Sequence, residues 1–195
     1  MDWPFGKLQP GAYDVVSIDV AWAWSTWSAA GAKKSPSSKY KTMTIAEAAQ
    51  LPVRALVRPG GVVWAWATWP MLPQQLDVFQ NAWGLTYKTG GSWAKRTRSG
   101  KLRLGPGHIL RSVCEPWLIG VSGNGGGPRG PSCRNLIETL DSGHFDGLAR
   151  EHSRKPDEAY RLIEALAPNA ERAEVYARTR RKGWHCYGDE LDKFT

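Results

Sequence analysis

The chain has 195 residues, a length that fits one α/β domain with a sizeable core better than two independent domains. It carries 26 Lys and Arg against 18 Asp and Glu, and the formal net charge of +8 favours a polyanionic partner. Its three cysteines are few and widely spaced, which argues against a disulfide framework and a metal site, and no apolar stretch is long enough to cross a bilayer. We therefore expect a cytoplasmic protein with no membrane partner.

The first predicted element is a buried strand at residues 13–18, which leads directly into Asp19. Thr44 and Glu47 match a capping box, so we expect a helix that runs to about Val57. A Pro-Gly-Gly turn at residues 59–61 should end it and deliver a second buried strand.

The second half of the chain continues the alternation of strands and helices. The patterns predict a strand at 62–68, a helix from about 70 to 84, strands at 85–95 and 116–121, a helix after Pro156 and a last strand at 174–177. A basic loop spans about 95–112, and a Gly- and Pro-rich loop spans about 122–134. We therefore predict an α/β fold with a mostly parallel sheet and helices on both faces, in one domain over residues 1–195.

Asp19 and Trp22 are the first candidate site residues. An acid at the carboxyl end of a buried strand lies where open α/β sheets bind their ligands. A carboxylate and a nearby backbone carbonyl can accept both hydrogens of an aromatic amine, and an indole can stack on an extruded base. The pair therefore suits methyl transfer to such an amine. The alternative is that Asp19 is an ordinary turn residue and Trp22 belongs to the core.

A colinear set of motifs surrounds this pair. Asp19-Val20-Ala21-Trp22 resembles the D-P-P-W motif of the adenine N6-methyltransferases that include the eukaryotic mRNA-modifying catalytic subunit and many phage and bacterial enzymes. Further segments resemble other motifs of that family in the same order, and they cover nearly the whole chain: Tyr40-Lys41-Thr42-Met43, Val63 to Thr68, Trp83-Gly84-Leu85, Trp93-Ala94-Lys95, Gly107 to Val121, Arg150 to Asp157, and Arg178 to Leu191.

The resemblance implies a circularly permuted, Rossmann-like methyltransferase that uses S-adenosylmethionine. Asp19 and Trp22 would be catalytic, and Val20 and Tyr40 would contact the target base. The cofactor would be bound by Ile18, Asp19, Lys155, Arg178, Asp189 and Glu190.

The chain departs from the family pattern at two places. Val20 and Ala21 replace both motif prolines, which removes the fixed φ angles of proline and some preorganisation of the turn. Asp189 and Glu190 replace an amide pair that is frequent in the family, so these side chains can accept hydrogen bonds but cannot donate them. Altered motifs also occur in non-catalytic partner subunits of the family.

The basic loop is the candidate nucleic-acid contact. Seven cations and no acid lie from Lys88 to Cys114, and among them we expect Lys95, Arg96 and Arg98 to bind phosphate without reading sequence. The alternative is a solvated basic loop with no ligand.

The predicted activity is N6-adenine methylation of DNA, of the phage or bacterial type. RNA adenosine methylation, amino methylation of cytosine and a catalytically degenerate nucleic-acid-binding subunit are the alternatives. We expect a monomer or a homodimer, with a partner subunit as a further possibility.

Overall fold

The computed structural model describes residues 2–23, 42–97, 99–105, 107, 109–125, 127, 130–140 and 155–193. Seven strands of this part of the chain form one sheet: β1 (Tyr13–Ile18), β2 (Val57–Trp66), β3 (Thr86–Arg96), β4 (Cys114–Val121), β5 (Leu136–Leu140), β6 (Arg172–Val175) and β7 (His185–Tyr187). Their spatial order is β5-β3-β4-β2-β1-β6-β7. Four of the six neighbouring pairs are parallel, and β4 runs antiparallel to both β2 and β3.

The described helices are α1 (Ile45–Ala49), α2 (Val53–Leu56), α3 (Leu72–Asp77) and α4 (Asp157–Leu166). A 3₁₀ turn (Trp69–Met71) precedes α3 and a π turn (Val78–Ala82) follows it, so residues 69–82 are continuously helical. None of the helices in the described ranges is both long enough and apolar enough to cross a membrane.

Each face of the sheet carries its own hydrophobic core. Side chains alternate along a strand, so Val16 and Ile18 of β1 face α1, α2 and the helical stretch at 69–82. Val15, Trp64 and Trp66 face the opposite side and pack against α4. The α/β class with helices on both faces of a mostly parallel sheet is thereby confirmed.

The helix predicted to run from Thr44 to about Val57 is wrong in extent. The capping box is present, because Thr44 Oγ1 accepts from the Glu47 N–H and Glu47 Oε2 accepts from the Thr44 N–H at 2.8 Å. The helix ends at Ala49 and a second one begins at Val53. Pro52 separates them, because proline lacks the N–H that a continuing helix requires and disfavours a helical residue before it.

The Pro-Gly-Gly segment is a bulge inside β2 and not the turn that was predicted before it. Tyr13 pairs with Val57, but Val15 pairs with Val62, so the extra residues protrude between these two positions. Gly60 has a φ of +80°, which favours glycine, and its N–H donates to the Ser122 carbonyl at 2.7 Å. The remaining predicted elements match within a few residues, whereas β5 and β7 are strands that the sequence patterns did not indicate.

Candidate active site

The predicted site residues lie at one edge of the sheet, which we call the carboxyl edge because β1, β2, β3, β6 and β7 all end there. Asp19 follows β1, Lys95 and Arg96 end β3, and Arg178 lies three residues after the end of β6. Asp189 and Glu190 follow β7, and Lys155 precedes the first turn of α4. Strand order therefore brings together residues from five separate segments.

Four of the side chains at this edge form a chain of ion pairs that we call the charged cluster. Lys155 Nζ lies 3.1 Å from Asp19 Oδ2 and 3.2 Å from Glu115 Oε2. The other carboxylate oxygen of Glu115, Oε1, lies 2.6 Å from Lys95 Nζ. The Lys155 side chain is only 11% exposed, so its ammonium is held by the two carboxylates largely away from water.

These contacts determine the protonation states in the charged cluster. Burial raises the pKa of Asp19, and the positive charge of Lys155 opposes that rise. Burial alone would also raise the pKa of Glu115, but Lys155 and Lys95 outweigh it and lower that pKa to about 2. Burial would lower the pKa of Lys155, yet the two carboxylates raise it. At neutral pH, Lys155 and Glu115 are charged, and Lys155 favours the ionised form of Asp19.

Both lysines of the charged cluster rest on tryptophan rings. Lys155 Nζ lies 5.0 Å from the centroid of the Trp66 ring, and Lys95 Nζ lies 4.2 Å from that of Trp93. These two rings meet edge to face at 6.2 Å within the core on the α4 side of the sheet. The indoles therefore position the cations by packing and by cation–π attraction.

Hydrogen bonds hold the segment after Asp19 in place without the motif prolines. The Trp22 N–H donates to the Val20 carbonyl at 3.0 Å, which closes a tight turn. The Met43 N–H donates to the Ala21 carbonyl, and the Ala23 N–H donates to the Met43 carbonyl, each at 2.7 Å. The pairing with Met43 thus supplies part of the rigidity that proline would have given.

Trp22 and Ile18 lie in the core. Trp22 is 6% exposed, and its Nε1 has no hydrogen-bond partner within the described part of the chain. Stacking of Trp22 on a base therefore stays a prediction, and it requires this segment to move. Ile18 is fully buried, so it can reach a ligand only through its backbone.

The second half of the predicted cofactor set forms another ion pair at the same edge. Arg178 Nε lies 3.3 Å from Glu190 Oε2, and Asp189 is exposed beside them. Tyr176, just after β6, has a φ of +64°, an uncommon and strained conformation for a residue with a side chain. Its hydroxyl contacts Met43 Sδ at 3.7 Å, which links the turn before Arg178 to the segment that follows Asp19.

The predicted phosphate contacts are placed differently from one another. Lys95 belongs to the charged cluster. Arg96 donates to Glu138 Oε1 through Nη2 at 2.6 Å and through Nε at 3.0 Å, and it also donates to the Gly100 carbonyl. Its charge is therefore engaged within the fold. Arg98 and Tyr40 lie outside the described residues.

Glu115, Tyr176 and Trp66 were missed as site residues. Glu115 was part of a recognised motif but carried no assigned role, and Trp66 was interpreted as core, which it also is. For Tyr176 the sequence offers no signal, because an unusual φ angle is a consequence of tertiary contacts.

A cavity of about 610 Å³ opens at the opposite edge of the sheet. Arg54, Pro59, Trp83 and Ser122 are among the residues that line it, and none of its lining residues belongs to the predicted site. It is therefore separate from the charged cluster.

The residues predicted to bind the cofactor include two cations, Lys155 and Arg178, and the carboxylates of Asp19, Asp189 and Glu190. This set can accept hydrogen bonds from hydroxyl and amino groups, bind a carboxylate and stabilise a nearby positive charge. No group of three or more acidic, His or Cys side chains in the described ranges is arranged to hold a metal ion.

Comparisons with known proteins point to one family. The family model described as MT-A70 matches residues 13–190. The chain is 31% identical over 113 residues to the N6-methyladenosine RNA methyltransferase MTA1 of Cryphonectria parasitica, a match over 57% of this chain and 31% of the relative. It is 32% identical over 116 residues to the N(6)-adenosine-methyltransferase catalytic subunit METTL3 of Homo sapiens, over 57% of this chain and 19% of the relative.

A third relative is the N(6)-adenosine-methyltransferase MT-A70-like protein of Arabidopsis thaliana, which is 32% identical over 88 residues, 44% of this chain and 12% of the relative. The chain thus spans less than a third of the length of each of these relatives.

Proposed function

The chain belongs to the MT-A70 family, and we propose that it is a methyltransferase that transfers the methyl group of S-adenosylmethionine to the N6 amine of adenine in DNA. The observation that carries the proposal is the carboxylate of Asp19, held by Lys155 at 3.1 Å where β1 ends. RNA is the second candidate substrate, because the relatives are named as adenosine or RNA methyltransferases.

The chemical difficulty lies in the amine. Its lone pair is delocalised into the purine ring, so the nitrogen is a weak nucleophile. In our proposal Asp19 accepts one amino hydrogen through Oδ1, since Oδ2 faces Lys155. The Val20 carbonyl accepts the other, using the lone pair that the Trp22 N–H leaves available. Two acceptors fixed at a strand end turn the nitrogen lone pair out of conjugation.

Lys155 and Glu115 set the charge of the acceptor. Lys155 opposes the effect of burial on Asp19 and so favours the ionised carboxylate that hydrogen bonding requires. Glu115 holds Lys155 from the other side and carries its own negative charge at neutral pH. The proton released by the methylated amine can pass to Asp19, whose raised pKa makes it a better base than an ordinary aspartate.

The residues present fit the cofactor. S-adenosylmethionine supplies an activated methyl group on a positively charged sulfur. Asp19 would lie near that positive charge, and Lys155 or Arg178 would bind the carboxylate of the cofactor. Asp189 and Glu190 would accept from its ribose hydroxyls, which needs no donor side chain.

A methyl-transfer assay tests the proposal. Labelled S-adenosylmethionine is incubated with unmethylated duplex DNA, single-stranded DNA and RNA, and the product nucleosides are analysed. We expect N6-methyladenine, with most label in DNA. Asp19→Asn keeps the shape but weakens the acceptor, and we expect a rate loss of ~10²–10³-fold, the size seen when one transition-state hydrogen bond is removed.

Asp14 provides the matched control. It lies on the same strand at the opposite edge, where it is partly buried, as Asp19 is, and paired with Arg58 at 2.8 Å. Asp14→Asn should leave the rate unchanged, and thermal unfolding should show that both variants fold. Equal rates for Asp19→Asn and the wild type would refute the assigned role. If calorimetry detects no S-adenosylmethionine binding, the chain is a nucleic-acid-binding subunit and not an enzyme. If most of the label appears in RNA, the substrate is RNA and not DNA.

A further inference from the structure

The basic segment between β3 and β4 folds into two closed turns. In the first, the Thr97 N–H donates to the Lys101 carbonyl at 2.8 Å, and the Arg103 N–H then donates back to Lys95 at 2.8 Å. The second is closed between Gly105 and Ser112, where the Gly105 N–H donates to the Ser112 carbonyl at 2.6 Å. We call this second turn the distal turn. The main-chain hydrogen bond that closes it needs no ligand.

Two large aliphatic side chains project from the distal turn. Ile109 is 98% exposed and Leu110 is 83% exposed. Arg111 Nε donates to the Gly105 carbonyl at 2.8 Å, and a methyl group added at Gly107 would collide with the Leu110 carbonyl oxygen, so the turn fits closely around its own backbone. Single exposed apolar residues are ordinary, whereas this adjacent pair forms a small apolar patch that a partner could bury.

The surroundings of this pair are cationic. The sequence has no acid between Lys88 and Glu115, Arg111 is exposed within the distal turn, and Lys101 is exposed in the turn that precedes it. The centres of protein–protein interfaces are depleted of charged residues, and lysine is among the depleted types. A partner with a negative exterior and an apolar interior fits better, and a nucleic-acid duplex has its phosphates outside and its stacked bases inside.

The distal turn is also anchored next to the site. The segment that carries it starts at Lys95 and ends at Glu115, and these two side chains are bound to each other at 2.6 Å in the charged cluster. A duplex whose phosphates meet the basic segment would therefore present its bases close to Asp19. An adenine inside a duplex must leave the stack before its amine can be methylated, and opening the stack takes free energy.

We propose that Ile109 and Leu110 form a wedge that enters the base stack of duplex DNA beside the target adenine and holds the stack open while the base is extruded. Apolar side chains of this kind unstack base steps in proteins that kink DNA. The major groove of B-form DNA is wide enough to admit a turn of the chain, whereas the major groove of A-form RNA is too deep and narrow. The inference rests on the proposed function, because it assigns the substrate of the same site.

The test measures unstacking directly. A DNA duplex in which scattered adenines are replaced by 2-aminopurine becomes more fluorescent when a base leaves the stack. We expect saturating wild-type protein to raise the fluorescence and the double variant Ile109→Ser, Leu110→Ser to reduce that rise by roughly tenfold. Leu136→Ser is the matched control, because Leu136 is a 50% exposed leucine on β5, and it should keep the full rise.

A second readout compares methylation of a perfect duplex with methylation of a duplex that contains a mismatched bubble. In the double variant, the methylation rate of the perfect duplex relative to that of the mismatched duplex should fall by roughly tenfold. The reason is that the bubble already supplies the opening that the wedge would otherwise provide. Thermal unfolding of all variants checks that they fold, which the exposure of the substituted residues favours.

The possible results distinguish a failure of the wedge proposal from a failure of the proposed methyltransferase function. Unstacking that depends on Ile109 and Leu110, without any methyl transfer, would support the wedge and refute the proposed function. Methyl transfer with a fluorescence rise unchanged in the double variant would overturn the wedge alone, as would a wild-type protein that binds duplex without unstacking it. A double variant that loses self-association but retains unstacking would assign the distal turn to a protein contact and overturn the wedge.

Discussion

Lys155 is the residue on which the electrostatics of the site depend most. Its ammonium is shared by Asp19 and Glu115, two carboxylates that would repel each other without it. Since the pKa of Asp19 is raised by burial and by Glu115, only the positive charges of Lys155 and the more distant Arg178 favour its ionised form. A single lysine therefore links the proposed acceptor to the base of the cationic segment.

The corresponding prediction concerns the pH dependence of the rate. Lys155→Met removes the positive charge, so the pKa of Asp19 should rise further, by about one unit or more. The acidic limb of the kcat/KM profile should then move to higher pH, since the ionised carboxylate is the active form. Steady-state kinetics between pH 5 and 9 measure this. Lys155→Arg keeps the charge and should leave the limb near its wild-type position, and an unshifted limb in Lys155→Met would contradict the assignment.

At the scale of elements, a buried polar group joins α4 to β6. Tyr160 of α4 donates to Glu174 Oε1 of β6 at 2.5 Å, and Arg181 lies over the Tyr160 ring with its Cζ 3.5 Å from the centroid. Arg181 also binds Asp157 in the first turn of α4 at 3.1 Å. Lys155 lies two residues before α4, and Arg178 lies three residues before Arg181. These contacts of Tyr160 and Arg181 therefore position both halves of the site.

The same group predicts a pH-dependent stability. Burial raises the pKa of Glu174 to about 7 from 4.5. A raised pKa means that the folded state binds the proton more tightly than the unfolded state. This contribution to the free energy of unfolding is therefore fully present below about pH 4.5 and is lost as the pH rises through about 7. Its size is on the order of 2–3 kcal/mol.

Urea unfolding of the wild type and of Glu174→Gln between pH 4.5 and 8 measures this loss. The glutamine resembles the protonated acid in shape and can still accept from Tyr160. The free energy of unfolding of the wild type should fall relative to that of the variant as the pH rises. A difference that stays constant over this range would show that Glu174 does not titrate there.

At the scale of the whole molecule, the net charge is +8, and the cations differ in whether they are paired with carboxylates of the fold. At the carboxyl edge, Lys155, Lys95 and Arg178 are bound to carboxylates of the fold. In the basic segment, Lys101 is exposed and Arg111 is exposed within the distal turn. Attraction of a polyanion should therefore arise mainly from this segment, because the lysines of the charged cluster are already paired with carboxylates.

The salt dependence of DNA binding tests this division. Lys101→Ala should reduce the slope of log K against log salt concentration by about one, and it should do so equally for DNA of different sequences. Fluorescence anisotropy over a salt series gives the slope. Arg54, an exposed cation at the opposite edge of the sheet, is the matched control, and Arg54→Ala should not change the slope. An equal reduction by both variants would mean that binding follows net charge alone.

Several features follow from the sequence alone. The apolar run at residues 13–18 predicted β1 and placed Asp19 at its end, and the capping residues Thr44 and Glu47 located the start of α1, because these signals are local. The order of the motifs indicated the family. Local patterns did not locate β5 or β7, and they did not show that Pro59–Gly61 forms a bulge, since each depends on a partner strand distant in sequence.

The arrangement of charges was decided by the tertiary structure. Asp19, Glu115 and Lys155 are far apart in the chain, and they meet only because β4 runs antiparallel beside β2 and because α4 begins at the carboxyl edge. Whether Trp22 faces a ligand or the core is likewise a question of burial, which one strand-end motif does not specify. The sequence determines which side chains are available at the strand ends. Strand order and register determine which of them come into contact, and the Coulomb energy of an ion pair is large only at contact distance.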